Sequence, residues 1–152
     1  MGTGELSSGR RGTASVSATG SVALVAVVAL VALALAGCGA DVERTEAGRA
    51  ADAFTGAGGG DTRVACDRLA PRTLEVLEQE GAPCREALAD AGLTDAGERL
   101  EVTVAGHSAQ VRYARDTVFL ALFDDGWRVT AAGCRRDSPD PAVPYDCTVD
   151  GR

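Results

Sequence analysis

The chain has 152 residues, of which 22 are acidic and 15 basic, giving a net charge of −7. Every basic residue is arginine, and neither asparagine nor isoleucine occurs, the usage of a very GC-rich coding sequence rather than of a function. The length favours about one domain, and the acidic balance excludes the broad basic footprint that nucleic-acid binding needs. All six aromatic residues (Phe54, Tyr113, Phe119, Phe123, Trp127 and Tyr145) lie beyond residue 38, so a core is expected only there.

Residues 1–20 are rich in Gly, Ser and Thr, with Arg10 and Arg11 as their only cations. Val22 to Ala36 is then an unbroken run of 15 Ala, Val and Leu residues. A bilayer-spanning helix needs about 20 apolar residues and a secretory signal about 7–15, so the run fits an export signal. It ends in Leu35-Ala36-Gly37-Cys38, which resembles the lipobox of bacterial lipoproteins. That resemblance implies cleavage between Gly37 and Cys38 and a diacylglyceryl group on the Cys38 thiol. Two or more acyl chains anchor stably where one does not. The alternative is an uncleaved, slightly short signal anchor, with Cys38 an ordinary cysteine at the membrane surface. Arg10-Arg11 invites a twin-arginine reading, but no matching hydrophobic consensus follows the pair. Each version places the remainder on the outer side of the cytoplasmic membrane. The organisation expected is a signal peptide over 1–37, a lipid-anchor segment over 38–40 and a domain over 41–152.

Setting Cys38 aside leaves Cys66, Cys84, Cys134 and Cys147. An even number in an exported domain reads as disulfides, and three pairings are open. Cys66–Cys84 with Cys134–Cys147 is the pairing expected, because each bracket encloses one local segment with turn residues in it. There is no C-x-x-C, and a single histidine is too few for a common zinc site.

Residues 38–152 carry 21 acidic residues and 13 arginines, a net of −8. From Asp41 to Phe54, Val42, Ala47, Ala50, Ala51 and Phe54 fall on a helical stripe. Gly56 to Gly60 reads as a linker turn, since no strand precedes it and no lysine follows. Asp61 suits the N-cap of a short helix through Leu69, and Pro71 suits the first turn of another. Leu74 and Leu77 supply that helix's apolar face, and Gly81 with Pro83 ends it. Cys84 to Ala91 adds a further short helix, stopped by Gly92. None of these pieces is long enough to be stable alone, so a Cys66–Cys84 bridge would clamp them together.

After Thr94 the period changes from 3.6 to 2. Leu100, Val102 and Val104 alternate with Glu101 and Thr103, and Ala105-Gly106-His107-Ser108 offers a turn. A second strand carries Val111 and Tyr113 and closes at Arg115-Asp116. Thr117 to Phe123 is the most apolar strand, and Asp124-Asp125-Gly126 is a hairpin signal before Trp127 to Ala132. With Pro139, Pro141 and Pro144, the tail from Cys134 reads as a stapled loop. Helices followed by an antiparallel meander of about four strands make an α+β domain.

Short helices carrying a cysteine, a meander, then Gly126-Trp127-Arg128-Val129, Ala132-Gly133-Cys134 and Pro144-Tyr145-Asp146-Cys147 resemble a group of small actinobacterial lipoproteins. Their domain is similar to the nuclear-transport-factor-2-like fold, in which helices pack into a curved sheet to form a cone. The resemblance covers residues 41–150 and brings no activity with it. Enzymes of that fold keep His, Asp or Tyr residues in the cone, and none of those positions is matched here.

Candidate chemistry is sparse. His107, the only histidine, falls in a turn, where a catalytic base would lack a partner and a pocket. Asp124-Asp125 before Gly is what a hairpin selects. Asp137, Asp140 and Asp146 offer the oxygen ligands that calcium prefers, but in an order unlike an EF-hand. No nucleophile elbow, phosphate loop or dinucleotide fingerprint occurs. Neither a metal nor a cofactor is expected, and an enzyme is the less favoured reading. The feature that rises above this background is the strand pair at the hairpin. Arg128 and Thr130 are expected on one face, with Trp127, Val129 and Ala131 on the other. The register of the Asp124-Asp125-Gly126 turn decides whether Phe119 and Phe123 or Leu120 and Leu122 stand beside Arg128; both faces of Thr117–Phe123 are apolar, and only one can cover the helices. The other face, taken as Phe119 and Phe123 with Arg128 and Thr130, is expected to meet an apolar small molecule, a protein partner or a second copy of the chain. The competing expectation is that the stapled tail folds over that face and buries it. The function expected is therefore a membrane-tethered binding or interaction module.

Overall fold

A computed structural model describes residues 39–56, 61–140 and 142–152. The first helix, α1, covers residues 39–56. It is followed by α2 (Thr62–Arg68), α3 (Pro71–Leu77) and α4 (Cys84–Asp90), then by β1 (Arg99–Ala105), β2 (Ser108–Tyr113), β3 (Thr117–Phe123), β4 (Gly126–Arg135) and β5 (Asp146–Asp150). The strands form one antiparallel meander in the order β1-β2-β3-β4-β5. This is an α+β domain with helices first. Ala57 to Gly60, most of the expected linker turn, lie outside the described residues.

The local signals explain the helix limits. The Asp61 side chain accepts from the Arg63 N–H and so satisfies an orphan donor of the first turn of α2. Pro71 opens α3 from the position where its missing N–H costs nothing. Along α1, Ala47, Ala50, Ala51 and Phe54 are buried against the sheet. Small residues let the helix lie close, and at Gly48 the Arg99 side chain occupies the space a larger residue would need. A Cβ there would stand 2.4 Å from the Arg99 guanidinium. Val42, expected on the apolar stripe, is instead 55% exposed. Five residues before Ala47 is a rotation of about 140°, which carries Val42 off the buried face.

Val111, Val118, Leu120, Trp127, Val129, Ala132 and Val149 present the inner face of the sheet to Phe54 and the buried alanines of α1. At the flank, Asp52 ties α1 to the sheet, accepting from the Tyr113 hydroxyl at 2.8 Å and from Arg99 at 2.7 Å. Burial pushes the Tyr113 hydroxyl well above the usual phenol range, so it stays a donor. Two disulfides staple the domain: Cys66 to Cys84, linking α2 to α4, and Cys134 to Cys147, linking β4 to β5.

Three sheet features depart from simple alternation. The β1–β2 register shifts between Arg99 and Glu101, and Leu100 is left 57% exposed rather than on the core face. The tail expected as a stapled loop becomes a loop and a fifth strand, with Cys147 directly opposite Cys134 and Val149 opposite Ala132. Its single fully inward residue, Val149, gives it little apolar pattern, so pairing and the bridge stabilise it more than its sequence does. Finally, ten residues of β4 face seven of β3, with register shifts on either side of Phe119. Leu120 pairs with Val129 and Phe119 with Ala131, so Thr130 is a bulged residue. Beyond it the parity flips. Ala131, expected beside Trp127 and Val129, lies opposite Phe119 on the outer face.

Candidate functional site

The β3–β4 turn fixes which side chains meet on the outer face. Phe123 pairs with Gly126 and Ala121 with Arg128, so the turn itself is Asp124-Asp125. Phe119 and Phe123 therefore flank Ala121 on the face opposite α1. Phe119 is half-buried and Phe123 is 41% exposed. The difference comes from the loop that precedes β5. The Tyr145 ring meets Phe119 edge-on, with centroids 5.0 Å apart and planes at 75°. Its hydroxyl accepts from the Gln110 side chain at 2.9 Å, and the Arg136 guanidinium lies 4.4 Å from the ring centre. The two expectations for this face thus divide it. The stapled tail covers the Phe119 half and leaves the Phe123 half open.

Beside the covered half is a cleft of about 460 Å³. Phe119, Phe123, Ala131 and Tyr145 make its apolar wall, and Arg72 and Arg152 stand at its edge. The Thr130 bulge explains why the cleft exists. Its carbonyl turns toward the sheet edge and accepts from the Thr73 hydroxyl at 3.0 Å and from the Gly151 N–H at 3.1 Å. The neighbouring Val129 carbonyl accepts from the Ala70 N–H at 2.8 Å. Strand β5 pairs with β4 only from Ala131 onward, so the start of α3 and the chain end close one side of a gap that β5 does not fill. At that end, Arg152 hydrogen-bonds Asp150 at 2.6 Å and holds its carboxyl below the usual aspartate range. Arg72 is paired with Glu75 at 2.9 Å across one turn of α3. Both arginines are exposed, so their pairing is easily exchanged for a ligand's polar group.

Three of the four residues expected on the interaction face, Phe119, Phe123 and Thr130, line this cleft. Thr130 acts through its backbone carbonyl. Arg128 is not among them. Its guanidinium grips Asp125 across the turn and the Asp67 carbonyl at the end of α2, so it fastens the hairpin to the helices. That contact holds the exposed Asp125 carboxyl below its ordinary range. Tyr145, Ala131 and Arg72 were not anticipated at the site. The signal for Tyr145 was its place two residues before Cys147, because a disulfide that fixes Cys147 opposite Cys134 also fixes the preceding aromatic over the sheet.

The minor candidates fall elsewhere. His107 is exposed in the β1–β2 turn, where its carbonyl accepts from the Leu122 N–H. Asp140 accepts from the Ala142 N–H inside its own loop. Among the described residues no group of His, Cys, Asp or Glu gathers as a metal ion would require. Asp116, not singled out from the sequence, accepts from the Gly133 and Cys134 N–H groups at 3.2 and 2.8 Å and so secures the second irregularity of β4. Gly37 and Cys38, the expected cleavage and lipidation site, lie outside the described residues. Among those described, no helix is long and apolar enough to cross a membrane. Compared with protein-family models, curated proteins and solved structures, the chain matches none.

Proposed function

We propose that the protein is an exported lipoprotein, held through acyl chains on Cys38 at the outer face of the cytoplasmic membrane, whose α+β domain is a tethered binding module. The observation that carries the binding role is the cleft between the outer sheet face and α3, with aromatic walls and exchangeable arginines at its edge. Its volume falls in the range of about 300–1,000 Å³ usual for small-molecule sites. The ligand is an apolar small molecule that stacks on Phe119 and Tyr145 and reaches Phe123. The tether rests on the apolar run from Val22 to Ala36 and on Leu35-Ala36-Gly37-Cys38. Two disulfides in so small a domain agree with an oxidising compartment outside the membrane. The order of helices before an antiparallel sheet supports assigning the domain to the nuclear-transport-factor-2-like class.

Native mass spectrometry of the exported, oxidised protein tests the binding role. Extra mass that leaves only on unfolding is the expected result. A bare monomer that acquires no small molecule from an extract of its cells would refute the small-molecule reading, and a bare dimer would move the role to the open Phe123 half of the face. The tether is tested separately. Cys38→Ser should yield a protein that is uncleaved or lost from the membrane, and unchanged processing and retention would establish the signal-anchor reading instead.

A further inference from the structure

A second concavity, of about 330 Å³, lies on the other side of the hairpin, between α1, α2 and the β3–β4 turn. Arg49 of α1 and Arg68 of α2 line it together with Glu46, Asp125 and Trp127. Neither arginine makes an ion pair or a side-chain hydrogen bond among the described residues, although most arginines of the domain do. Asp125 is already committed to Arg128. Glu46 is then the only uncommitted carboxylate in the lining, against two uncommitted guanidinium groups. The pocket is thus locally cationic within an acidic domain. Trp127 is 4% exposed, and its Nε1–H is a buried donor without an acceptor among the described residues. An orphaned donor of this kind costs about 1–3 kcal/mol, and native structures rarely leave one without a reason.

These groups share one chemistry. Guanidinium and indole N–H are donors only, so their natural partner is an anion with several acceptor oxygens. The planar forks of two arginines suit a tetrahedral oxyanion, which can give each fork two oxygens. We propose that the pocket formed by Arg49, Arg68 and Trp127 binds a phosphate group, either free or carried on a lipid headgroup. The two guanidinium groups hold the phosphate oxygens, and a side-chain shift that uncovers the buried Trp127 Nε1–H lets one oxygen accept from it. Glu46 weakens binding by like-charge repulsion. The site is independent of the apolar cleft, because the sheet and the Arg128–Asp125 contact stand between them.

Trp127 is the only tryptophan of the chain, so its fluorescence and its single indole N–H resonance report the core where it borders this pocket. The test uses the full chain in micelles of an uncharged detergent, titrated with inorganic phosphate, with chloride at equal ionic strength as the control. The same protein is then reconstituted in vesicles of phosphatidylcholine, with and without phosphatidylglycerol. A saturable phosphate response is expected, weakened about tenfold or more in Arg49→Ala and in Arg68→Ala, since each removes charge-assisted hydrogen bonds. Glu46→Gln should tighten it. A response to phosphate but not to phosphatidylglycerol assigns a free anion, and a response on the vesicles assigns a lipid headgroup. A silent Trp127 in both arms, or a response that survives Arg49→Ala/Arg68→Ala, would overturn the assignment. Both arginines are exposed, so these variants are expected to keep the fold, and the dispersion of the amide spectrum checks that directly.

Discussion

Replacing Cys134 and Cys147 together by alanine is the most informative single perturbation of the domain. Their bridge closes 13 residues of separation, and that of Cys66 with Cys84 closes 18. On the chain-entropy model either loss costs about 3 kcal/mol, because the dependence on loop length is only logarithmic. Against a total of about 5–15 kcal/mol for a domain this is large, and for a chain of this size it lowers Tm by roughly 10–15 °C. The two bridges should differ in where the damage appears. Cys66–Cys84 joins short helices that also pack on one another and on the sheet. Cys134–Cys147 holds an edge strand whose only fully buried apolar residue is Val149, and it fixes Tyr145 over Phe119. Without it, amide exchange in β5 and at Gly151, whose N–H donates to the Thr130 carbonyl, should rise toward local opening, while β1–β3 keep most of their protection. Urea unfolding gives the total and hydrogen exchange gives its distribution. A loss below about 1 kcal/mol, or protection lost evenly over the sheet, would refute the view that this bridge secures β5 and the wall of the cleft.

Tyr145→Ala should cost about 1–2 kcal/mol, from the edge-on contact with Phe119 and the Gln110 hydrogen bond, whereas Tyr145→Phe should cost about 1 kcal/mol or less; urea unfolding separates them. Gly133→Ala should be more damaging than Gly106→Ala. Both positions have positive φ, at 67° and 58°, but a Cβ at Gly133 would stand 2.8 Å from Leu93 and Thr148, and at Gly106 it meets nothing within 4 Å. About 1–2 kcal/mol is expected at Gly106 and more at Gly133, read from the same curves. Burial pushes the Asp116 carboxyl above the usual aspartate range, against the opposing pull of the Cys134, Gly133 and Thr117 N–H groups. The folded chain then keeps a proton on Asp116 at pH values where the unfolded chain has lost it. The resulting stability is full below the ordinary aspartate pKa and falls as pH rises through the folded value. NMR titration should find Asp116 above and Asp150 below the ordinary aspartate range, and an Asp116 that titrates normally would contradict the burial argument.

The change of hydrophobic period after Thr94 was enough to place helices before strands, and caps such as Asp61 and Pro71 set helix limits because their chemistry is local. What the sequence hid is everything that depends on a partner strand. Leu100 alternates correctly with Glu101 on paper, but the shift in the β1–β2 register turns it outward. Strand β5 has too few apolar residues to announce itself and follows a proline-rich segment, which argues for a loop. Ala131 changes face because Thr130 bulges, and a bulge has no signature in a run such as Val129-Thr130-Ala131-Ala132. The interaction face was therefore legible on β3, where alternation is unbroken, and misread on β4. Arg128 shares a face with Phe119 and Phe123, one of the two registers expected, but Asp125 and the Asp67 carbonyl claim its charge, and tertiary partners of that kind leave no trace in spacing.

These differences sharpen the test of the binding role. If strand alternation alone shaped the site, Phe119 and Phe123 would be equivalent, and polar replacement of either would abolish capture without unfolding. The structure separates them. Phe119 is half-buried beneath Tyr145, so Phe119→Ser removes both a wall of the cleft and a contact that holds the tail, and lost binding in that variant would not distinguish the two. Phe123 is 41% exposed and makes no such contact, so Phe123→Ser should cost about 1 kcal/mol or less while removing apolar surface from the cleft's open side. Native mass spectrometry of the two variants, alongside their unfolding curves, is the measurement. Loss of bound mass in Phe123→Ser at nearly unchanged stability places the ligand between Phe123 and the tail. Full retention in Phe123→Ser would exclude the open side of the cleft, whatever Phe119→Ser does. Retention in both would remove the ligand from this cleft altogether.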